Sequence, residues 1–170
     1  MDLIRKIVYG IEALSIGTGK ITSWAMVLLM VLINFEVAMR YVFVRPTTWG
    51  YELSLMLGGS LLLMLAYAQQ RDANIRVGIV YEKLSPRTRA FFNVFGTVVF
   101  AYPCFAYFIS QAYHYMIQAF ATHEKMAESY WYPPAAPFRT VLFLALCLAV
   151  LQFTATLIRD LHMFIKGEPL

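Results

Sequence analysis

Glu36, Arg40, Trp49 and Glu52 are the residues whose types and spacing most invite chemistry in this chain. Glu36 and Arg40 are four apart, so on a helix their side chains meet and can pair. Glu52 falls one turn into the next apolar block, at about the depth of Arg40. Charge inside such a block is costly and must face protein or water, or reach the edge of the hydrocarbon. Three uses remain open for the cluster: an internal Arg–Glu clamp that sets the register of two helices, a polar contact to a second membrane subunit, or an ion path. Asn34 sits near the middle of the same apolar block. An amide there is expected to hydrogen-bond across a helix interface, with a solute contact as the alternative.

The remaining reactive types are sparse. His114 lies within an apolar block, whereas His123 and His162 lie in or near aqueous stretches. A haem bundle needs paired axial ligands facing one another, and one intramembrane His does not supply them. Cys104 and Cys147 each sit inside an apolar run and read as small buried residues rather than a disulfide. No nucleophile–base arrangement, metal-ligand spacing or phosphate-cradling glycine loop is visible, so neither catalysis nor a cofactor is expected. Tyr130, Trp131 and Tyr132, followed by Pro133-Pro134, make a stiff aromatic stretch. It reads as an interfacial aromatic belt or as a docking surface for a partner outside the membrane.

The elements that must position these residues follow from composition. Of 170 residues, 60% are hydrophobic and 14% charged, against roughly 45–50% and about 25% in soluble domains. The excess comes in four blocks, each long enough to cross a bilayer as a helix of about 20 residues. Spans are expected at roughly 21–44, 49–70, 91–118 and 139–164, within a single membrane domain covering 1–170. Only Arg45-Pro46-Thr47-Thr48 separates the first two, which requires a tight antiparallel hairpin. Pro103 lies inside the third span, where it removes a backbone donor and predicts a kink. Gly58-Gly59 and Ala145/Ala149 permit close helix approach.

Two short amphipathic helices are expected to lie on the membrane surface. In 2–16, Ile4, Ile7, Val8, Ile11, Leu14 and Ser15 make one apolar face, and Gly17-Thr18-Gly19 is expected to break the helix before the first span. In the 71–90 connection, Val77, Val80, Tyr81 and Leu84 repeat at helical spacing, with Arg76 among the basic residues alongside. Ser85-Pro86 then has the form of a helix start, Ser at the N-cap and Pro at the first helical position.

The net charge of +4 is an orientation signal here rather than a nucleic-acid one, because the basic residues lie between apolar blocks. Arg5, Lys6, Lys20, Arg71, Arg76, Lys83, Arg87, Arg89, Arg159 and Lys166 fall on one side; Arg40, Arg45, Lys125 and Arg139 fall on the other. The positive-inside rule places both termini in the cytoplasm and the 45–48 and 119–138 connections outside. No cleavable leader pattern is apparent in the first 20 residues.

The order of these residues resembles a known family. Glu36-x3-Arg40-Tyr41-x-Phe43-x2-Pro46-x2-Trp49-x2-Glu52 is similar to the first-hairpin signature of the small membrane subunit of tripartite ATP-independent periplasmic (TRAP) transporters. Ile75-Arg76-Val77, Tyr81-Glu82-x-Leu84-Ser85-x-Arg87, Glu128-Ser129, Arg139 and Leu151-Gln152 resemble later stretches of the same family, so the likeness runs nearly the length of the chain. Asn74 and Gly78 depart from it, since the family often has His and Asp there. The resemblance implies a multi-pass protein of the bacterial inner membrane, surrounded by lipids. It also implies a brace for a large multi-spanning subunit that imports an organic acid with an ion gradient, usually sodium. A periplasmic solute-binding protein is the implied third partner. The alternative from the residues alone is a self-sufficient proton-coupled exporter with Glu36 as the exchanging carboxylate; Arg40 argues against it, because a cation one turn away repels cationic cargo.

Overall fold

The structure, a computed structural model, describes residues 2–71, 73 and 84–166. Helix α1 covers Asp2–Tyr41. The second rod is α2 (Gly50–Ser60), a single 3-10 turn at Leu61–Leu63 and α3 (Met64–Gln70). The third is α4 (Pro86–Gly96), a π turn at Thr97–Ala101 and α5 (Tyr102–Ala121). Helix α6 (Ala136–Lys166) is the fourth. Lys6–Tyr41, Gly50–Gln70, Thr88–Ala121 and Ala136–Ile165 are each long and apolar enough to cross a membrane. The second, at 21 residues, is about 32 Å long and matches the hydrocarbon thickness. The first, at 36 residues, is about 54 Å long and exceeds it.

The excess length of α1 corrects one expectation. Gly17-Thr18-Gly19 does not break the chain; the 2–16 stretch and the first span form one continuous helix. The glycines serve other ends. A Cβ on Gly19 would run into the Tyr67 ring, so this glycine lets α1 approach α3. Thr18 donates its hydroxyl back to the carbonyls of Leu14 (2.9 Å) and Ser15 (3.1 Å), which satisfies it without leaving the helix.

The face that α1 buries matches its expected apolar face only in part, at Val8 and Ser15. Val8, Glu12, Ser15 and Thr22 are buried, while Ile7 and Leu14 are about half exposed. The inward residues are largely polar and find partners on α6. Ser15 donates to Gln152 Oε1 at 2.8 Å, and Glu12 pairs with Arg159 at 2.8 Å. In lipid an apolar side chain gains little by turning inward, whereas a polar one must find a partner there.

Helix α6 is the hub, touching every other rod. Its buried residues Ala145, Leu148, Ala149, Gln152 and Ala155 repeat at three to four positions and are mostly small, which brings neighbouring backbones close. Gly59 meets α6 in the same way, since an added Cβ would lie 2.5 Å from the Phe138 ring. The π turn lies one turn ahead of Pro103. A proline ring crowds the carbonyl four residues back and offers it no donor, and a widened turn relieves both. At the start of α4, Ser85 Oγ accepts from Thr88 N at 3.3 Å with Pro86 at the first helical position, as the sequence predicts. Large apolar side chains such as Trp24, Val31, Phe100 and Ile165 point outward.

Candidate functional site

Two connections meet at one end of the rods: the 42–49 turn and the 122–135 loop. The turn leaves α1 through Val44, whose φ of 52° is left-handed. Val42 N donates to Ala38 O at 2.9 Å and Arg45 N to Met39 O at 2.9 Å, which closes the helix end. Glu36 then reaches across the turn. It accepts from Arg40 at 3.0 Å, from the Thr47 hydroxyl, and from Thr47 N at 3.4 Å. Thr47 Oγ1 in turn accepts from Gly50 N at 3.2 Å, one of the amides that the first turn of α2 leaves without a helical partner. Gly50 leaves room for this arrangement, because a Cβ there would lie 2.5 Å from Thr47 Oγ1 and 2.8 Å from Glu36 Oε2. Trp49 stacks its ring on Phe35, with centroids 6.1 Å apart and planes 20° from parallel.

Glu36 joins the two arms of the hairpin through Thr47 and carries Arg40 on its own helix, while Arg40 and Glu52 do not pair. Arg40 stays on its own helix with a side chain 56% exposed. Glu52 turns away from it. Fully buried, its Oε1 accepts from Ser129 N at 2.9 Å, and its Oε2 is buried without a partner.

Ser129 belongs to the 122–135 loop, which folds back on itself like a small hairpin. Met126 N donates to Pro133 O at 2.8 Å and Ala135 N to Glu124 O at 2.9 Å. His123 and Tyr132 take left-handed φ values of 49° and 52° at its bends. At its base Arg139 pairs with Glu124, donates to Tyr115 O at 3.0 Å and lies over the Tyr115 ring. At its tip Trp131 N donates to Ser129 Oγ at 3.2 Å. Tyr130, Trp131 and Tyr132 are all exposed there, Tyr130 to 85%.

Other residues singled out in the sequence stand apart. Asn34 Nδ2 donates to Met30 O at 2.7 Å on its own helix and its side chain is exposed, so it bridges no helices within this chain. His114 is exposed, and both cysteines are free. Among the described residues no group of three or more His, Cys, Asp or Glu could hold a metal. Arg76, Tyr81, Asn74 and Gly78 lie outside the described residues; the Leu84 carbonyl accepts from Arg89 Nε at 2.9 Å.

Sequence reasoning gave no structural role to Thr47, Ser129 or Glu124. Thr47 carries a signal, a hydroxyl three residues before a helix-opening glycine. Arg139, a cation opening an apolar block, implies an acidic partner nearby, and Glu124 is that partner. Ser129 contributes a backbone amide to Glu52, which no residue type announces.

Four long apolar helices, each able to cross a membrane and tied together at one end through Glu36 and Glu52, define a multi-pass membrane protein. The family of tripartite ATP-independent periplasmic transporters, DctQ component, matches residues 29–163, which include the first hairpin and the aromatic loop. The chain belongs to this family, the small membrane subunit of TRAP transporters. A search of curated proteins returned no match.

Proposed function

We propose that this chain is the accessory subunit of a TRAP importer in the bacterial inner membrane. It braces a large multi-spanning subunit and offers the 122–135 loop to a periplasmic binding protein that delivers an organic acid. The transport path and the ion coupling, expected to use sodium, belong to the large subunit. The basic N-terminal segment and 71–90 connection face the cytoplasm, which puts the Glu36–Glu52 end and the aromatic loop outside.

The observation that carries this reading is the fate of the hairpin carboxylates. Glu36 is engaged by Arg40 and by both donors of Thr47, and Glu52 is buried against the Ser129 amide. Both are tied into the scaffold, which suits a brace. A carrier carboxylate must instead release its partners to take up and discharge cargo, so the geometry disfavours the exporter that Glu36 would serve. The outward apolar side chains of α1, Trp24, Val31 and Phe35 among them, suit a surface shared between lipid and a larger subunit.

The test is a pull-down of tagged chain from native membranes in mild detergent, with mass spectrometry of what comes along. A large multi-spanning membrane protein in near-equal amount is the expected result. A lone chain or homo-oligomer would refute it.

A further inference from the structure

A buried carboxylate with one hydrogen-bond donor is a costly group to keep inside a membrane helix. Glu52 is such a group: fully buried, one oxygen on Ser129 N at 2.9 Å, the other without a partner. The first hairpin does not need it, because Glu36 and Thr47 already lock the turn. What Glu52 holds is a point 77 positions away in sequence, and the contacts continue from there. Ser129 Oγ accepts from Trp131 N at 3.2 Å, in the middle of the exposed aromatic trio. The loop's other fixings, Arg139–Glu124 and the Met126–Pro133 and Ala135–Glu124 backbone bonds, all lie towards its base. The tip is joined to the helices through Glu52.

We propose that Glu52 is a positioning residue for docking, fixing the tip of the 122–135 loop so that Tyr130, Trp131 and Tyr132 stand ready-formed for the periplasmic binding protein. The inference rests on the docking reading above. A surface held in its bound shape loses less freedom on association and binds more tightly. A carboxylate suits the task better than a neutral acceptor, because hydrogen bonds to a charged group are stronger.

The test uses the assembled complex with its large subunit in lipid nanodiscs, titrated with the fluorescently labelled binding protein of the same transport system. Glu52→Leu keeps the bulk and removes the acceptor; it is expected to weaken binding about tenfold, the equivalent of one charge-assisted hydrogen bond, with complex yield unchanged. Glu52→Gln keeps a neutral acceptor and is expected to recover about half of the lost binding free energy. Wild-type affinity in Glu52→Leu would overturn the inference, as would a loss in Glu52→Gln equal to that in Glu52→Leu. Where Glu52→Leu fails to assemble, Glu52→Asp draws the acceptor back by one methylene; weaker binding is expected, and unchanged binding overturns the inference. Trp131→Ala separates the two levels. If it leaves affinity intact, the docking reading itself fails. If it weakens binding while the Glu52 variants do not, the positioning role alone fails.

Discussion

Removing either partner of the Glu12–Arg159 pair should have unequal consequences. The pair joins the start of α1 to the end of α6 at 2.8 Å, with side-chain exposures of 7% for Glu12 and 41% for Arg159. Glu12→Ala leaves a long, partly exposed cation that can extend to water or lipid headgroups. Its cost is that of a surface pair, about 0–1 kcal/mol. Arg159→Ala leaves a carboxylate almost fully enclosed between α1 and α6. Losing a partner in a fully buried pair costs about 3–5 kcal/mol, and the exposure of Arg159 discounts that to about 2 kcal/mol here. The double variant removes the stranded charge and should recover most of the difference. The assay is SDS titration of helicity on the purified chain in mild detergent, with all variants in one lipid–detergent mixture. Glu12→Ala costing as much as Arg159→Ala, or a double variant no better than Arg159→Ala, would refute the reasoning.

Other substitutions test the site and the packing. Gly50→Ala should destabilise the chain by about 1–3 kcal/mol, because its Cβ displaces Thr47 from Glu36 and from the residue-50 amide. Gly17→Ala, with open space around it, should be neutral or stabilise by up to about 1 kcal/mol; the same SDS titration separates the two. Arg40→Ala should alter the isolated chain's stability by less than about 1 kcal/mol, since Thr47 still serves Glu36 and the guanidinium is exposed. It should nonetheless lower recovery of the assembled complex, and wild-type recovery would remove Arg40 as a subunit contact. Trp131→Ala should weaken binding of the periplasmic protein by tenfold or more, as loss of an aromatic anchor does. An accompanying fall in the chain's melting temperature would point instead to a structural role for that ring.

Much of the architecture was legible in the residues. Four helices long and apolar enough to cross a membrane, a short proline-bearing turn between the first two and a Ser-Pro helix start are all present. Glu36 and Arg40 pair because a helix puts i and i+4 together. The Gly17-Thr18-Gly19 stretch misled because glycine weakens helices in water, where exposed backbone groups have a competing partner. Here the stretch packs on neighbouring helices, Gly19 against Tyr67 and Ser15 on Gln152, and the helix persists.

The 170 residues by themselves determined the number of spans, the hairpin, the family and the charge bias between the two sides. Those properties follow from block length, local spacing and order along the chain. Tertiary structure decided which faces turn inward and what the buried charges hold. Glu12 and Ser15 bind α6 while Ile7 and Leu14 face out, and Glu52 binds an amide in a distant loop rather than Arg40. The reason is physical: in a membrane apolar side chains are nearly indifferent to facing lipid or protein, so the polar groups choose the contacts. Their partners here include a backbone N–H, identical at every residue but proline and placed only by the fold.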